Sequence, residues 1–172
     1  MSKIPQKIFD YQRDSIITED VRILGDVESS DAITLEGTII GNIKTTKNVE
    51  TFIASYIEGN VQANSANLGG KINGSVECEQ NISIDQNTVI NGNLSSNIII
   101  IAGKVTGNIY ASHSVKLKEN AFVHGNITCS IISIEEGARI DGNLKMLIKE
   151  VLVEEEDEAS VDEFSDTEAP IL

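Results

Sequence analysis

A short phrase recurs eight times between residues 23 and 144, and this repetition limits the folds open to the chain. Each copy reads Ile or Val, any residue, Gly, a small polar residue, then Val, Ile or Leu. The first and last glycines are 117 residues apart, so the mean step is about 16.7 residues. Such short-period self-similarity is typical of a solenoid. The glycines are Gly25, Gly41, Gly59, Gly74, Gly92, Gly107, Gly125 and Gly142.

The repeat unit predicts strands rather than helices. Apolar residues alternate around each glycine, as in Ile57, Gly59 and Val61, and this period of two indicates a strand with one buried face. At the corners, Gly125 can adopt left-handed backbone without steric cost and Asn126 tolerates it. About sixteen residues divide into three strands, which predicts triangular coils, seven to eight in number, stacked as parallel sheets. Aromatic residues are only 4% and tryptophan is absent, in keeping with a narrow aliphatic interior.

A second, longer period is superimposed on the first, and the coil lengths bear on the handedness of the solenoid. Gly41, Gly74 and Gly107 are 33 apart, so long and short coils alternate. Left-handed hexapeptide helices require coils of 18, and four of the seven steps depart from that length. Crossovers between parallel strands are otherwise overwhelmingly right-handed. The sequence therefore predicts an all-β protein, a right-handed parallel β-helix.

Composition divides the chain into an arm at 1–18, the β-helix at 19–146 and a tail at 147–172. From Glu150 to Leu172 there are ten acids and no base, so we expect this tail to be largely disordered. The formal net charge is −14 and no basic stripe is evident in the sequence, which argues against nucleic acid as a partner.

The arm combines bases with apolar residues. Lys3 and Lys7 alternate with Ile4, Ile8 and Phe9. Such a short amphipathic segment can lie on an anionic membrane surface, and the alternative is a flexible arm without membrane contact.

Two further features bear on location. There is no signal peptide, and no apolar stretch approaches the roughly 20 residues of a membrane-spanning helix. Cys78 and Cys129 are the only cysteines and belong to different coils, which suits a reducing compartment. We therefore expect the protein in the cytoplasm, with contact to the cytoplasmic face of the membrane if the arm binds it.

Residues that could carry chemistry are sparse. His113 is expected at a coil corner and His124 at the variable position of its phrase, and neither has Cys or His neighbours at metal-ligand spacing. Gly69 and Gly70 lack the Lys-Ser/Thr that follows in a phosphate-binding loop. The sequence predicts no catalytic residue, no cofactor and no metal, and hence no enzyme.

Two segments carry a resemblance to a known family. The stretch 103–112, Gly-Lys-Val-Thr-Gly-Asn-Ile-Tyr-Ala-Ser, and the terminal Glu-Glu-Gly-Ala phrase within 134–146 resemble the bactofilins, polymer-forming bacterial cytoskeletal proteins. The resemblance covers roughly 20–146. It implies a right-handed triangular β-helix, nucleotide-independent non-polar filaments joined end to end, and roles in cell shape or in localising cell-wall and envelope enzymes. It also implies that an N-terminal segment can target the inner membrane. Family members often have an aromatic residue at the position of Ile140.

The ends of a solenoid present unpaired backbone groups, and natural solenoids usually need caps to stay soluble. No folded cap is evident in this sequence, so we expect the chain to form a homopolymer by stacking end to end. The residues predicted at the joint are Ile140 and Leu144 at one end, Ile23 and Val27 at the other, and Phe122 as a further candidate.

Two alternatives remain open at this point. One is an acyltransferase-like β-helix enzyme that acts as a trimer. The other is a monomeric binding solenoid in which the tail, 150–172, caps the last coil.

Overall fold

The computed structural model describes residues 14–148, and within them every regular element is a parallel strand. The strands form a β-solenoid with seven complete coils, from 22–37 to 122–138, and a partial coil at each end. The predicted parallel β-solenoid of seven to eight coils is confirmed. Each coil contributes to three faces, which we number in chain order from the strand that contains the start of the repeated phrase.

Face 1 is an eight-stranded sheet, and the twelve-stranded sheet makes faces 2 and 3. Face 1 contains β2 (Arg22–Leu24), β5 (Thr38–Ile40), β8 (Tyr56–Glu58), β10 (Lys71–Asn73), β12 (Val89–Asn91), β14 (Lys104–Thr106), β16 (Phe122–His124) and β19 (Arg139–Asp141). The twelve-stranded sheet contains β1 (Ser15–Ile17), β3 (Val27–Ser29), β4 (Ile33–Leu35), β6 (Ile43–Thr45), β7 (Asn48–Thr51), β9 (Val61–Leu68), β11 (Val76–Ile84), β13 (Leu94–Ile101), β15 (Ile109–Leu117), β17 (Ile127–Cys129), β18 (Ile131–Ile134) and β20 (Leu144–Met146).

The twelve-stranded sheet bends between faces 2 and 3. Face 2 follows the repeated glycine, as at 76–78, and face 3 comes next, as at 81–84. The long strands β9, β11, β13 and β15 cross the corner between them, and their pairing registers shift there. The three coils of 18 residues place two residues at this corner and four between face 3 and face 1, whereas the two coils of 15 residues place one and two. The alternation of long and short coils is therefore absorbed at the corners, and the pairing register within each face is kept.

The core is a set of aliphatic rows that run along the rod. In the face 1 row, Ile39, Ile57, Ile72 and Ile90 are all fully buried, one above another. β-Branched residues dominate because each inward side chain packs on the equivalent side chain of the next coil across about 4.8 Å. Apolar burial of this kind is the main force that holds the rod together.

A ladder of side-chain hydrogen bonds runs along the corner after the glycine. The N–H of Asn60 donates to Asn42 Oδ1 at 2.9 Å, and the N–H of Ser75 donates to Asn60 Oδ1 at 3.0 Å. Farther along, Asn126 Oδ1 accepts from the N–H of Asn143 at 3.2 Å. The side chain of the small polar residue in the phrase can therefore accept a hydrogen bond from the backbone of the next coil, and this bond stabilises the corner.

Two details differ from the sequence expectations. The first strand begins at Ser15, inside the segment 1–18 that the sequence assigns to the arm, and it pairs with β4. Asn126 does not adopt left-handed backbone. Within residues 14–148 the positive-φ residues other than glycine are Asn87 and Asn120, which lie in the four-residue corners between faces 3 and 1. Gly125 does adopt positive φ, at +144°.

Candidate self-assembly surfaces

Both ends of the described rod are open. At the N-terminal end β1, β2 and β3 each pair with a strand on one side only, and at the C-terminal end β18, β19 and β20 do the same. The outer edge of each of these strands has backbone groups without a strand partner among residues 14–148. Such edges are templates for pairing with another chain.

The C-terminal end exposes the last layer of the core. Ile140 is in register with buried Val123 and is half-buried, while Leu144 continues the row of Ile127 and is 42% exposed. Predicted residues Ile140 and Leu144 therefore lie in one terminal layer. Two inward-facing residues that the sequence does not single out belong to the same layer: Met146, 43% exposed, and Ile134, 49% exposed. The position two residues after Leu144 in its strand would have indicated Met146. We call these four residues the C-terminal layer.

The N-terminal end is built differently. Ile23 and Val27 are in register with buried Ile39 and Ile43, and both are half-buried. The large exposed side chain on β2 is Leu24, which is 72% exposed because it points outward from face 1. The N-terminal layer of Ile23 and Val27 thus presents less bare apolar surface than the C-terminal layer.

Phe122 lies on the side of the rod rather than at its end. It occupies an outward position of β16, with Lys104 Nζ 5.8 Å and Arg139 Cζ 5.7 Å from its ring centroid. These cation–π contacts cover part of the ring. The structure does not bring Phe122 together with Ile140 and Leu144 in one layer.

The residues predicted to contact a membrane, Lys3, Ile4, Lys7, Ile8 and Phe9, lie outside the described residues. The described part contains no helix that is long and apolar enough to cross a bilayer.

The two histidines occupy separate places. His113 is exposed at the corner between faces 2 and 3, as expected. His124 points outward from face 1, and its Nδ1 lies 2.9 Å from Asp141 Oδ2. This pair was not predicted, although both residues hold the variable position of successive copies of the phrase. No group of three metal-ligating side chains occurs within residues 14–148.

A shallow groove follows face 2 and its corner with face 3. Gln62, Asn64, Ser95 and Asn97 are among its lining residues, and the histidines are not. Ser96, beneath the groove, has a buried hydroxyl without a hydrogen-bond partner among residues 14–148. A histidine placed for substrate contact, as the acyltransferase alternative requires, is not found in this groove.

The described residues form a parallel β-solenoid, and no other described residue covers its terminal core layers. Residues 15–98 and 70–145 match Bactofilin, a family described as polymer-forming cytoskeletal. The chain therefore belongs to the bactofilin family, and the resemblance noted in the sequence is confirmed. No curated protein and no solved structure matches the chain.

Proposed function

We propose that this bactofilin is a bacterial cytoskeletal scaffold that assembles end to end into filaments without nucleotide. The observation that carries the proposal is the C-terminal layer, where Ile134, Leu144 and Met146 each leave more than two fifths of their surface uncovered. Aliphatic side chains in the equivalent rows of inner coils are almost fully buried. A second copy stacked on this layer would bring it to the same burial.

Two contributions would stabilise the proposed joint. Burying one aliphatic side chain contributes roughly 1.5–3 kcal/mol. The three edge strands at each end can add backbone hydrogen bonds to the same contact. Because both contributions come from the polypeptide alone, no hydrolysis step is needed to drive assembly.

The filament would act as a scaffold in the cytoplasm. We propose that it supports cell shape or localises cell-wall and envelope proteins, and that the arm places it at the inner-membrane surface. We assign the chain no catalytic activity, no cofactor and no nucleic-acid partner.

Electron microscopy of negatively stained, purified protein tests the proposal directly. The expected result is filaments, with pelletable mass that is unchanged by ATP or GTP with Mg²⁺. A reproducible nucleotide requirement would exclude assembly by burial and strand pairing alone. Discrete trimers would favour the acyltransferase-like alternative, and stable monomers would favour the binding solenoid capped by its tail.

A further inference from the structure

Charge is distributed unevenly over the three faces. Face 1 holds four bases and two acids, whereas face 2 holds two of each and face 3 holds one of each. Eleven of the sixteen acids among residues 14–148 lie outside the strand faces, and seven of these are at the corner between faces 3 and 1. Face 1 is therefore the only face of the described rod with a net positive charge.

The four bases of face 1 form a single line. Arg22, Lys71, Lys104 and Arg139 are each the first residue of their strand, and the pairing registers place them in one outward row. All four are exposed. We call them the basic row. Each of these bases directly precedes a copy of the repeated phrase, so an alignment of the phrases indicates the row, whereas composition and linear order do not.

No described carboxylate pairs with the basic row. Within residues 14–148 the one close contact between a basic side chain and a carboxylate is that of His124 with Asp141. Instead, Lys71 Nζ lies 6.0 Å from the ring centroid of Tyr56, and Lys104 and Arg139 lie over opposite sides of the Phe122 register position. The aromatic contacts hold these cationic groups along the face, where an external anion can reach them.

The spacing of the row suits an extended chain. Lys71, Lys104 and Arg139 are each two strand spacings apart, or about 10 Å at about 4.8 Å per strand. Three residues of extended polypeptide also span about 10 Å. An extended acidic segment can therefore place carboxylates beside successive bases.

The chain itself supplies such a segment. The described structure ends at Ile148 in the last coil, the same end of the rod as Arg139. Residues 154–163 contain seven acids and no base. The six steps from 148 to 154 can span up to about 20 Å, which is more than the roughly 13 Å of a four-residue strand such as β18 on face 3, the face between Ile148 and Arg139. The segment can thus reach Arg139 and continue along face 1.

We propose that the acidic segment 154–163 binds along the basic row of its own rod, from Arg139 towards Lys71. Each exposed pair contributes little alone. Tethering supplies a high effective concentration, so several weak pairs suffice for binding. The contact should be sensitive to salt because the charges remain at the surface. Binding of the segment does not depend on filament formation and would occur equally in a monomer.

Carbodiimide cross-linking of the full chain, which joins a lysine amine directly to a carboxylate, gives the first test. At about 50 mM salt, Lys71 and Lys104 should form at least about threefold more links to 154–163 than Lys44 and Lys116, which lie on faces 2 and 3. The excess should disappear near 500 mM salt. An equal distribution over the four lysines would overturn the proposal.

In a mixture of nitrogen-15-labelled and unlabelled chains, the links should join residues of one chain, and mixed-label links would overturn the intramolecular assignment.

Protease accessibility gives an independent test with matched variants. Cleavage of the tail by a glutamate-specific protease should be several-fold faster for the double variant Lys71→Gln, Lys104→Gln than for the unaltered protein. The control Lys116→Gln, Lys118→Gln changes the same charge elsewhere and should leave the cleavage rate unchanged. Circular dichroism verifies folding of both. Equal cleavage in all three proteins would assign the basic row to another occupant, such as a second copy or an anionic surface, and would overturn the proposal.

Discussion

At the scale of single residues, the repeated glycine is required for two separable reasons. Gly107 has φ of +146°, and a Cβ added there would overlap the carbonyl oxygen of Gly92. Gly25 has nearly the same φ, +141°, but a Cβ there would meet no atom within 4 Å. The difference arises because Gly25 belongs to the first complete coil and has no coil beneath it on that side.

Substituting the two glycines by alanine should separate backbone strain from steric overlap. Gly25→Ala should lose about 1–3 kcal/mol of unfolding free energy from strain alone. Gly107→Ala should lose at least about 2 kcal/mol more, because strand spacing must also widen. Urea denaturation of the monomeric chain measures both values. Equal losses would mean that the stack relaxes freely around the added methyl group.

The raised pKa of the Cys78 thiol predicts how the unfolding free energy depends on pH. Burial, reinforced by the charge of Glu77 and partly opposed by a backbone hydrogen bond from Ala63, raises its pKa from 9.0 to about 12. Above pH 9 the unfolded thiol loses its proton while the folded thiol keeps it, so the unfolding free energy should fall as pH rises from 9 to 12.

The variant Cys78→Ala isolates this contribution, since Ala63 and Ala111 occupy the same row in other coils. Between pH 9 and 12 the unaltered protein should lose up to about 1.4 kcal/mol per pH unit more than the variant. The measurement is urea unfolding at a series of pH values. Identical pH profiles would show that the thiol ionises as readily in the folded rod as in the unfolded chain.

At the scale of strands, alternation decides which substitutions the rod tolerates. Val105 in β14 is fully buried, and Thr106 beside it points outward between Asn91 and His124. Val105→Asp buries an unpaired carboxylate and should cost several kcal/mol. Thr106→Asp should change stability by about 0.5 kcal/mol or less. Thermal melts compare the two, and equal melting temperatures would contradict the assigned facing.

The strands were predictable from the sequence because their alternation of side chains is local. The phrase at 105–109 shows which residues face inward, and the structure agrees with it. The corners were less predictable, since loops of one to four residues satisfy the same register. Asn126 illustrates the difference, because Gly125 already supplies the special backbone angle and leaves the Asn126 side chain free to bridge coils. β1 lacks the phrase and is recognisable only from its pairing with β4.

To predict contacts between outward side chains of neighbouring coils, one needs the pairing register of the strands as well as the presence of the repeat. The pairing of His124 with Asp141 and the cations over Phe122 depend on which outward residues stack. Alignment of the phrases gives that register on face 1, because His124 and Asp141 hold the same position of the phrase, but it does not show that the two side chains make contact. The inward residues at the ends, Ile140 and Leu144, were predictable because they belong to the phrase itself.

At the scale of the whole molecule, the arm should act separately from the rod. Deletion of residues 1–14 removes Ile4, Ile8 and Phe9 and leaves β1 intact. We expect filaments to persist and association with anionic liposomes to fall, because the apolar anchor and its flanking lysines are gone. Co-sedimentation with liposomes measures the effect. Unchanged co-sedimentation would assign any membrane contact to another part of the chain.

The C-terminal layer exposes more apolar surface than the N-terminal layer, so a charge placed there should have the larger effect on assembly. Ile140→Arg places a charge where a stacked copy would exclude water. Losing the burial of one isoleucine, roughly 1.5–3 kcal/mol, corresponds to a shift of one to two orders of magnitude in the assembly threshold. The variant should therefore give short soluble species that keep β-type circular dichroism, while pelleting measures the loss of polymer.

Two further variants distinguish loss of assembly from loss of folding. Ile140 is half-buried in the last coil, so its substitution could also unfold that coil. Leu144→Arg tests the same layer at a residue that is already 42% exposed and should cost less folding free energy. Ser133→Arg adds the same charge to an exposed position of β18 in the last complete coil, where it points away from the core, and should leave assembly unchanged. Filaments of normal length from Ile140→Arg and Leu144→Arg would place the joint elsewhere. Loss of filaments from Ser133→Arg alone would indicate contact through the side of the rod.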